Sequence, residues 1–362
     1  MLARPIPAEG VRADARPAPQ PKVGLQARLV RLSIAAVVVL ILVLVALFEI
    51  RMSNLQALVL SRFDRELRFK LESGPGPDLR APDGGPYDTR LGYTRLPGFV
   101  QRLQAVGYTI DSQARLSPRM RELVARGLFP IYPEKSQAGL SVVDRQGGSL
   151  YEARSPERAY ESFDVVPPLV VRTLLFIENR EVLDARRPHL NPAVEWHRLA
   201  KAVGVDILGR LGRQGQVIGA STLATQLEKF RHSPEGRTRS AGDKFRQMVS
   251  ASLRAYQGGR HTLTARRQIV VDYLNSLPLA AALGRGEILG LGDGLWAWYG
   301  MDFDETNHLL AADAAPADPA RAQAYRGTLR LLLAARRPYH YLTEDRQALD
   351  EFTESYLRLM AR

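Results

Sequence analysis

Residues 167–181 read PPLVVRTLLFIENRE. Apolar side chains recur every three or four positions in this stretch, which predicts a helix with one buried face. Four later stretches repeat this spacing: NPAVEWHRLAKAVGVDILGRL (191–211), ASTLATQLEKF (220–230), DKFRQMVSASLRAY (243–256) and TARRQIVVDYLNSL (264–277). Residues 161–343 are therefore predicted to form one mainly α domain.

The region before this domain, residues 93–160, has a mixed pattern and is predicted to be a small α/β lead-in. LPGFVQRLQAVGY (96–108) is amphipathic, whereas SVVDRQGGSLYEA (141–153) predicts two short strands around a turn at 145–148. After the domain, residues 344–362 predict one amphipathic helix. The chain is either a complete protein or a fragment of a longer one.

An uncharged apolar stretch, LSIAAVVVLILVLVALF, occupies residues 32–48. A helix that spans a bilayer needs about 20 mostly apolar residues, and its backbone groups must bond to one another. We therefore predict a transmembrane helix over residues 28–50. A cleavable signal peptide is the alternative, but the apolar stretch is long and no small-residue cleavage site follows it.

The residues around this helix predict its orientation. Arginine and lysine greatly outnumber acidic residues before the apolar stretch, which predicts a cytoplasmic N-terminus and a periplasmic body anchored to the inner membrane. Residues 1–27, rich in Pro, Ala and Arg, predict a disordered tail. Residues 51–72 have helical spacing and residues 73–88 are rich in Gly, Pro and Asp, so 51–92 predicts a stalk helix followed by a linker.

The overall composition narrows the function classes. The net charge of +12 predicts attraction to anions such as nucleic acid, lipid head groups or phosphorylated substrates. The sequence has no cysteine, which excludes disulfides, thiolate metal sites and cysteine nucleophiles. The six histidines show no metal-ligand spacing. We therefore predict no metal site, and the periplasmic location argues against a nucleic-acid partner.

Short motifs between residues 141 and 342 carry a family resemblance. In chain order they are the turn with Asp144, Arg145 and Gly147, VVPP (165–168), LLFIENRE (174–181), GASTLATQLEKF (219–230), DKFRQ (243–247), QIVVDYLN (268–275), GLG (290–292), WYG (298–300) and RPYHYL (337–342). This order resembles the family 51 glycosyltransferases, the peptidoglycan-polymerising domains of class A penicillin-binding proteins and their monofunctional relatives. The resemblance implies a lysozyme-like, two-lobed fold with a cleft, one lobe of which dips into the membrane.

The resemblance also implies a reaction, the polymerisation of lipid II. A sugar 4-hydroxyl attacks an anomeric carbon and a lipid-linked pyrophosphate leaves, so the site needs a base and positive charge. Glu178 matches the family's first acidic residue and is the predicted base, since it ends an apolar run where a carboxylate is poorly solvated. Lys229 and Lys244 are predicted to meet the pyrophosphate on the same wall of a groove. Whether a divalent cation also binds at the pyrophosphate is left open, and no other cofactor is predicted.

Other polar residues in these motifs have two possible roles. Ser221, Thr222 and Gln226 could bind sugar or phosphate, but the two hydroxyls could equally cap a helix. Arg246 could assist the lysines. Together with Arg231, Arg237 and Arg239 it is more simply interpreted as part of a solvated basic face. Asp272, Tyr273 and Asn275 are interpreted as structural. The two-residue spacing of Trp296 and Trp298 suits a loop or short strand, with core packing their favoured role.

The sequence departs from the family pattern at three charged positions. Gln247 stands at the second catalytic glutamate, Asp243 at an arginine, and Asn179 at the aspartate after the first glutamate. An amide keeps the shape of a carboxylate but loses its charge and its capacity for proton transfer. Two hypotheses follow: a divergent working enzyme, which we favour, or a pseudoenzyme that binds lipid-linked sugar or other cell-wall synthesis proteins. A nucleic-acid-binding or purely structural membrane protein is supported by the basic charge alone.

Overall fold

The computed structural model describes residues 24–76, 85–196, 221–311 and 318–361. Its helices are Leu25–Met52 (α1), Asn54–Asp64 (α2), Pro86–Arg90 (α3), Leu96–Ala105 (α4), Pro118–Ala125 (α5), Pro168–Ile177 (α6), Leu223–His232 (α7), Ala241–Ala255 (α8), Leu263–Ser276 (α9), Leu291–Tyr299 (α10), Phe303–Leu309 (α11), Pro319–Ala334 (α12) and Arg346–Met360 (α13). The predicted mainly α fold is confirmed. The proposed tail up to residue 23 and most of the predicted helix at 191–211 lie outside the described residues.

The strands form separate two-stranded antiparallel sheets within the described ranges. They are Phe69–Ser73 (β1) with Ser112–Leu116 (β2), Ala138–Val143 (β3) with Ser149–Ser155 (β4), and Pro278–Ala282 (β5) with Gly286–Leu289 (β6). The β3–β4 hairpin was predicted and is confirmed. Its turn is stabilised by the Asp144 carboxylate, which accepts hydrogen bonds from the backbone N–H groups of Gln146 (2.8 Å) and Gly148 (2.7 Å). The β5–β6 hairpin was not predicted.

Residues up to Phe48 form one unit, and Glu49–Arg362 form a second. In α1, the segment Arg28–Met52 is long and apolar enough to cross a membrane, and its most apolar 18-residue window has a mean hydropathy of 3.0. A signal sequence passes the same test, so the helix is a candidate span.

The predicted continuous stalk is wrong in its secondary structure. Ser53, with φ of +56°, ends α1, and the Glu49 carboxylate accepts hydrogen bonds from the N–H groups of Leu55 (2.8 Å) and Gln56 (2.9 Å) as α2 begins. Residues 69–73, expected in the helix and linker, form β1 instead, because they pair with β2 far along the chain. The predicted linker is also interrupted, since α3 starts at Pro86.

Among its described residues, the second unit has a larger and a smaller hydrophobic core, besides a minor cluster of Ala193, Ala224 and Ala251. The smaller core joins the lead-in region to α8 through five buried residues: Leu67, Met120, Leu123, Ile131 and Leu253. The larger core includes Leu174 of α6, Leu223 of α7 and Leu274 of α9, all at most 1% exposed. These contacts bring the C-terminal end of α6 next to the polar face of α7. The site described below lies there.

The tryptophan pair belongs to α10, so the predicted loop or short strand is wrong. Trp298 packs against the larger core and donates a hydrogen bond from Nε1 to the Leu279 carbonyl (2.9 Å). Trp296 is more exposed. Two guanidinium groups lie over its ring, with the Arg158 Cζ 4.5 Å and the Arg285 Cζ 3.9 Å from the ring centroid. Core packing therefore holds for Trp298, whereas Trp296 stacks with cations.

The structural interpretation of Tyr273 and Asn275 is confirmed. The Tyr273 side chain is part of the larger core. Asn275 is buried and joins the end of α9 to the lead-in region. Its Oδ1 accepts from the Tyr160 N–H and its Nδ2 donates to the Tyr160 carbonyl, both across 2.8 Å.

Candidate active site

Glu178 follows directly on α6. Its N–H donates to the Leu174 carbonyl (2.9 Å), so the last turn of the helix holds its backbone in place. Its side chain is only 13% exposed, as expected for a residue that ends an apolar helix. Its Oε2 accepts a 2.9 Å hydrogen bond from Nε2 of Gln226, on α7. The carboxylate is therefore fixed in place at the edge of the larger core.

Two further side chains approach this carboxylate. The Tyr273 hydroxyl donates to Oε1 of Gln226 across 3.4 Å, so a chain of donors runs from Tyr273 through Gln226 to Glu178. Nε of Arg336, which follows α12, lies 3.8 Å from Oε1 of Glu178. The sequence predicted neither Arg336 nor the polar contact of Tyr273. Nothing in their local patterns indicates a site, because both contacts arise from tertiary packing.

Lys229 lies on α7, three residues after Gln226, so both side chains project from one face of that helix. Its Nζ lies 4.6 Å from the centroid of the Phe230 ring. Burial lowers the pKa of Lys229, and the negative charge of Glu178 partly offsets this effect. Lys229 therefore lies within electrostatic range of the predicted base.

Lys244 is the second ammonium group at this site. Its Nζ donates a hydrogen bond to Oγ of Ser221, just before α7. Burial, together with the positive charge of Lys229, lowers the pKa of Lys244 to about 8. Within the described ranges, neither lysine has a carboxylate at ion-pair distance. The structure thus brings together Glu178, Gln226, Lys229, Lys244 and Ser221.

Thr222 is the N-cap of α7. Its Oγ1 accepts from the Thr225 N–H (3.3 Å), and its own N–H donates to Oγ1 of Thr225 (2.9 Å). The Thr222 side chain is 1% exposed. The capping interpretation is therefore confirmed, and its hydroxyl is already engaged.

Gln247 is fully buried in α8. Its Nε2 donates to Oγ of Ser233 (2.8 Å) and to Oγ1 of Thr238 (2.9 Å). These bonds attach the connection between α7 and α8 to the helix that carries Lys244. Where the motif resemblance implies a second glutamate, this chain therefore has a buried amide that binds its own loop.

The four arginines differ in their surroundings. Arg237 is exposed, Arg239 pairs with Glu235 (2.7 Å) at the surface, and half-exposed Arg246 pairs with Asp243 (2.5 Å). For Arg231, the predicted solvated face is wrong, since its side chain is only 4% exposed.

Arg231 belongs to a buried ionic cluster around Glu134, which no local sequence pattern predicts. The Glu134 carboxylate contacts Arg231 (2.6 Å), His232 (2.5 Å) and Arg254 (2.9 Å). These cations lower the pKa of Glu134, and Glu134 raises the pKa of His232 despite its burial. The cluster binds the segment before β3 to the C-terminal end of α7, and thus supports the helix that carries Gln226 and Lys229.

Among the described residues, no group of three His, Asp or Glu side chains is arranged to hold a metal ion.

Comparison with known families gives one match. A family model described as Transglycosylase, the glycosyltransferase family 51 domain, matches residues 146–328. That range includes Glu178, Gln226, Lys229 and Lys244, but it excludes Glu134 and Arg336. No curated protein matches the chain significantly.

Proposed function

Because this chain belongs to the transglycosylase family, the glycosyltransferase family 51 domain, we propose that it polymerises lipid II into glycan strands at the outer face of the inner membrane. The family acts on lipid-linked peptidoglycan precursors. The candidate span over Arg28–Met52 would keep the body next to such a substrate. The excess of arginine before that helix favours an extracytoplasmic body.

Glu178 acts as the general base in this proposal. It takes the proton of the attacking 4-hydroxyl as that oxygen bonds to the anomeric carbon, and the bond from this carbon to the pyrophosphate oxygen breaks. The hydrogen bond from Gln226 (2.9 Å) aims one carboxylate oxygen. A fixed orientation matters because a base must lie within hydrogen-bonding reach of the proton that it removes.

Lys229 and Lys244 stabilise the departing pyrophosphate. Ammonium groups held in a partly buried site interact with phosphate oxygens more strongly than they would in water. Burial and the charge of Lys229 lower the pKa of Lys244 to about 8, which means that the charged ammonium form is disfavoured. A bound pyrophosphate would stabilise this charged form. Ser221, which accepts a hydrogen bond from Lys244, positions that ammonium.

One observation carries the proposal. The Glu178 carboxylate, just after α6, accepts a hydrogen bond from Gln226 of α7, the helix that also carries Lys229. Lys244 of α8 donates a hydrogen bond to Ser221, just before α7, so three segments that are distant along the chain meet here. Such a grouping matches a reaction that moves a proton on one side and releases an anion on the other. Substrate binding by Thr222 is less favoured, because its hydroxyl caps α7.

The position of Gln247 favours the second candidate, a pseudoenzyme that binds lipid-linked sugar without turnover. Its buried amide bonds to Ser233 and Thr238. It therefore supplies neither charge nor proton transfer. We prefer the enzyme because the chain retains Glu178, Lys229 and Lys244, the groups that the proposed reaction needs.

The test is glycan synthesis from labelled lipid II by the full chain in lipid nanodiscs. Glu178→Gln should lower the rate of glycan synthesis at least about a hundredfold, because a positioned general base usually contributes that factor. Glu161→Gln, which neutralises an exposed carboxylate on the same domain, should leave the rate unchanged. Equal rates for the wild type and Glu178→Gln would remove Glu178 from the mechanism. Lipid II binding without strands from any variant would establish the pseudoenzyme.

A further inference from the structure

Helix α4, Leu96–Ala105, has none of its residues buried. Its apolar side chains nevertheless lie on one face, because Leu96, Phe99 and Leu103 are spaced by three and four positions. Phe99 is 54% exposed. The apolar face continues beyond the helix into exposed Val106 and Tyr108. A soluble helix normally turns such a face towards a core, but here the described residues leave Phe99, Val106 and Tyr108 more than half exposed, and Leu96 and Leu103 each 37% exposed.

The charges of this segment are of one sign. Residues 91–110 contain Arg95 and Arg102 and no aspartate or glutamate. Both arginines are exposed, and the Arg102 Cζ lies 5.7 Å from the centroid of the Phe99 ring. An arginine beside an apolar face can keep its charge in the head-group layer while its stem covers the acyl boundary.

We propose that α4 and the residues up to Tyr108 form an interfacial helix that lies in the head-group region of an anionic lipid bilayer. An uncovered apolar face, flanking cations and the absence of acidic residues are the features of such helices. The same chain carries a candidate membrane span, so a bilayer is held at high effective concentration around the body. The segment lies outside residues 146–328, which match the glycosyltransferase family. It is thus a second lipid contact, separate from the proposed lipid II site.

The chain contains no cysteine, so a single label can be placed at will. We would prepare Phe99→Cys, on the apolar face, and Gln101→Cys, on the opposite face of the same helix, each carrying an environment-sensitive fluorophore. Both full-length proteins are placed in nanodiscs containing phosphatidylglycerol, with and without lipids that carry a quencher below the head group. The measurement uses no lipid II, so it is independent of the proposed enzymatic activity.

The label at position 99 should lose most of its fluorescence to the quencher lipid, whereas the label at position 101 should keep its fluorescence. In nanodiscs of phosphatidylcholine alone, quenching at position 99 should weaken. As a folding control, the thermal unfolding of each labelled variant is compared with that of the wild type.

Equal quenching at both positions, or none at either in correctly folded protein, would overturn the proposal. A blue-shifted label at position 99 that resists the quencher and depends on protein concentration would also overturn it. That result would assign the face to a second copy of the chain.

Discussion

Nε2 of Gln226 lies 2.9 Å from Oε2 of Glu178 and donates a hydrogen bond that connects α7 to the end of α6. The Tyr273 hydroxyl donates to the other end of the same amide, across 3.4 Å. Because the Glu178 carboxylate only accepts hydrogen bonds, the amide points its N–H towards Glu178 and its carbonyl oxygen towards Tyr273. Gln226 is thus a positioning residue for the proposed base.

Gln226→Leu removes this donor and keeps much of the side-chain volume. We expect the rate of glycan synthesis to fall roughly tenfold, which corresponds to about 1.4 kcal/mol in the barrier, because Glu178 loses its fixed orientation. Gln268→Leu is the matched control, since Gln268 is exposed and, among the described residues, its side chain bonds to Asp272 on its own helix. Equal losses in both variants, measured as kcat with labelled lipid II, would contradict a positioning role.

Lys244 should make anion binding depend on pH. Its lowered pKa of about 8 means that it loses its charge just above neutrality. Binding of inorganic pyrophosphate should weaken between about pH 7 and pH 9, as the ammonium deprotonates. In Lys244→Met the binding should be weaker and much less sensitive to pH over this range, as measured by calorimetry. Lys135→Met, an exposed control, should behave as the wild type.

The same shift predicts a change in stability of known sign. The unfolded chain holds the Lys244 proton up to the usual lysine pKa of 10.5, but the folded chain releases it near 8. The unfolded state thus binds more protons between these values, so this group makes the protein more stable as pH rises through that window. In Lys244→Met, the melting temperature should not show this increase in stability between about pH 8 and pH 10.5. If the difference in melting temperature between wild type and variant were the same at every pH, this prediction would be contradicted.

Sequence patterns predicted those parts of the molecule that depend on local chemistry. Periodicity placed the helices that carry Glu178, Lys229 and Lys244, because an apolar face recurs wherever a helix packs on a core. Asp144 with the two following glycines predicted the β3–β4 turn. Motif order then selected Glu178 from many other carboxylates, which periodicity alone could not do.

Contacts between distant segments could not be predicted in this way. Arg336 reaches Glu178, and Glu134 pairs with His232 across 98 positions. No local pattern distinguishes these residues from surface charges. The break at Ser53 was missed for a related reason, since the Glu49 carboxylate and tertiary packing override the helical spacing of 51–72.

Glu134 should be important for folding. Glu134→Gln would remove the negative charge that Arg231, His232 and Arg254 share in a buried site. Breaking one partner of a buried ion pair costs about 3–5 kcal/mol, because the remaining charges stay desolvated. Glu122→Gln is the control, since that carboxylate pairs with Arg119 and Arg126 at the surface and should cost at most about 1 kcal/mol. Denaturant unfolding in micelles would measure both, and equal values would refute the structural role of the cluster.

His232 gives this cluster a pH dependence. Glu134 raises the pKa of His232 above the usual 6.5. Glu228 raises it further and Arg254 lowers it, and Asp88 Oδ1 lies 3.8 Å from Nδ1 of the ring. A raised pKa in the folded state contributes stability that is complete below the usual value and is lost as pH rises through the folded value. The free energy of unfolding should therefore fall above about pH 6.5 more steeply in the wild type than in His232→Gln. His308→Gln, at an exposed position, should keep the wild-type slope.

Gln247→Glu introduces the carboxylate that the motif resemblance implies at this position, and the buried surroundings of Gln247 predict the result. The side chain is fully buried and its Nε2 donates to Ser233 and Thr238. A glutamate there loses both of these donated bonds and places a charge in a dry site, which should cost about 1–3 kcal/mol or more. We expect lower stability and no gain in glycan synthesis, because the loop residues rather than substrate surround this position. Gln257→Glu, an exposed site just beyond the same helix, controls for the added charge. A clear increase in rate for Gln247→Glu alone would instead mean that the natural amide limits catalysis, and would favour the pseudoenzyme hypothesis.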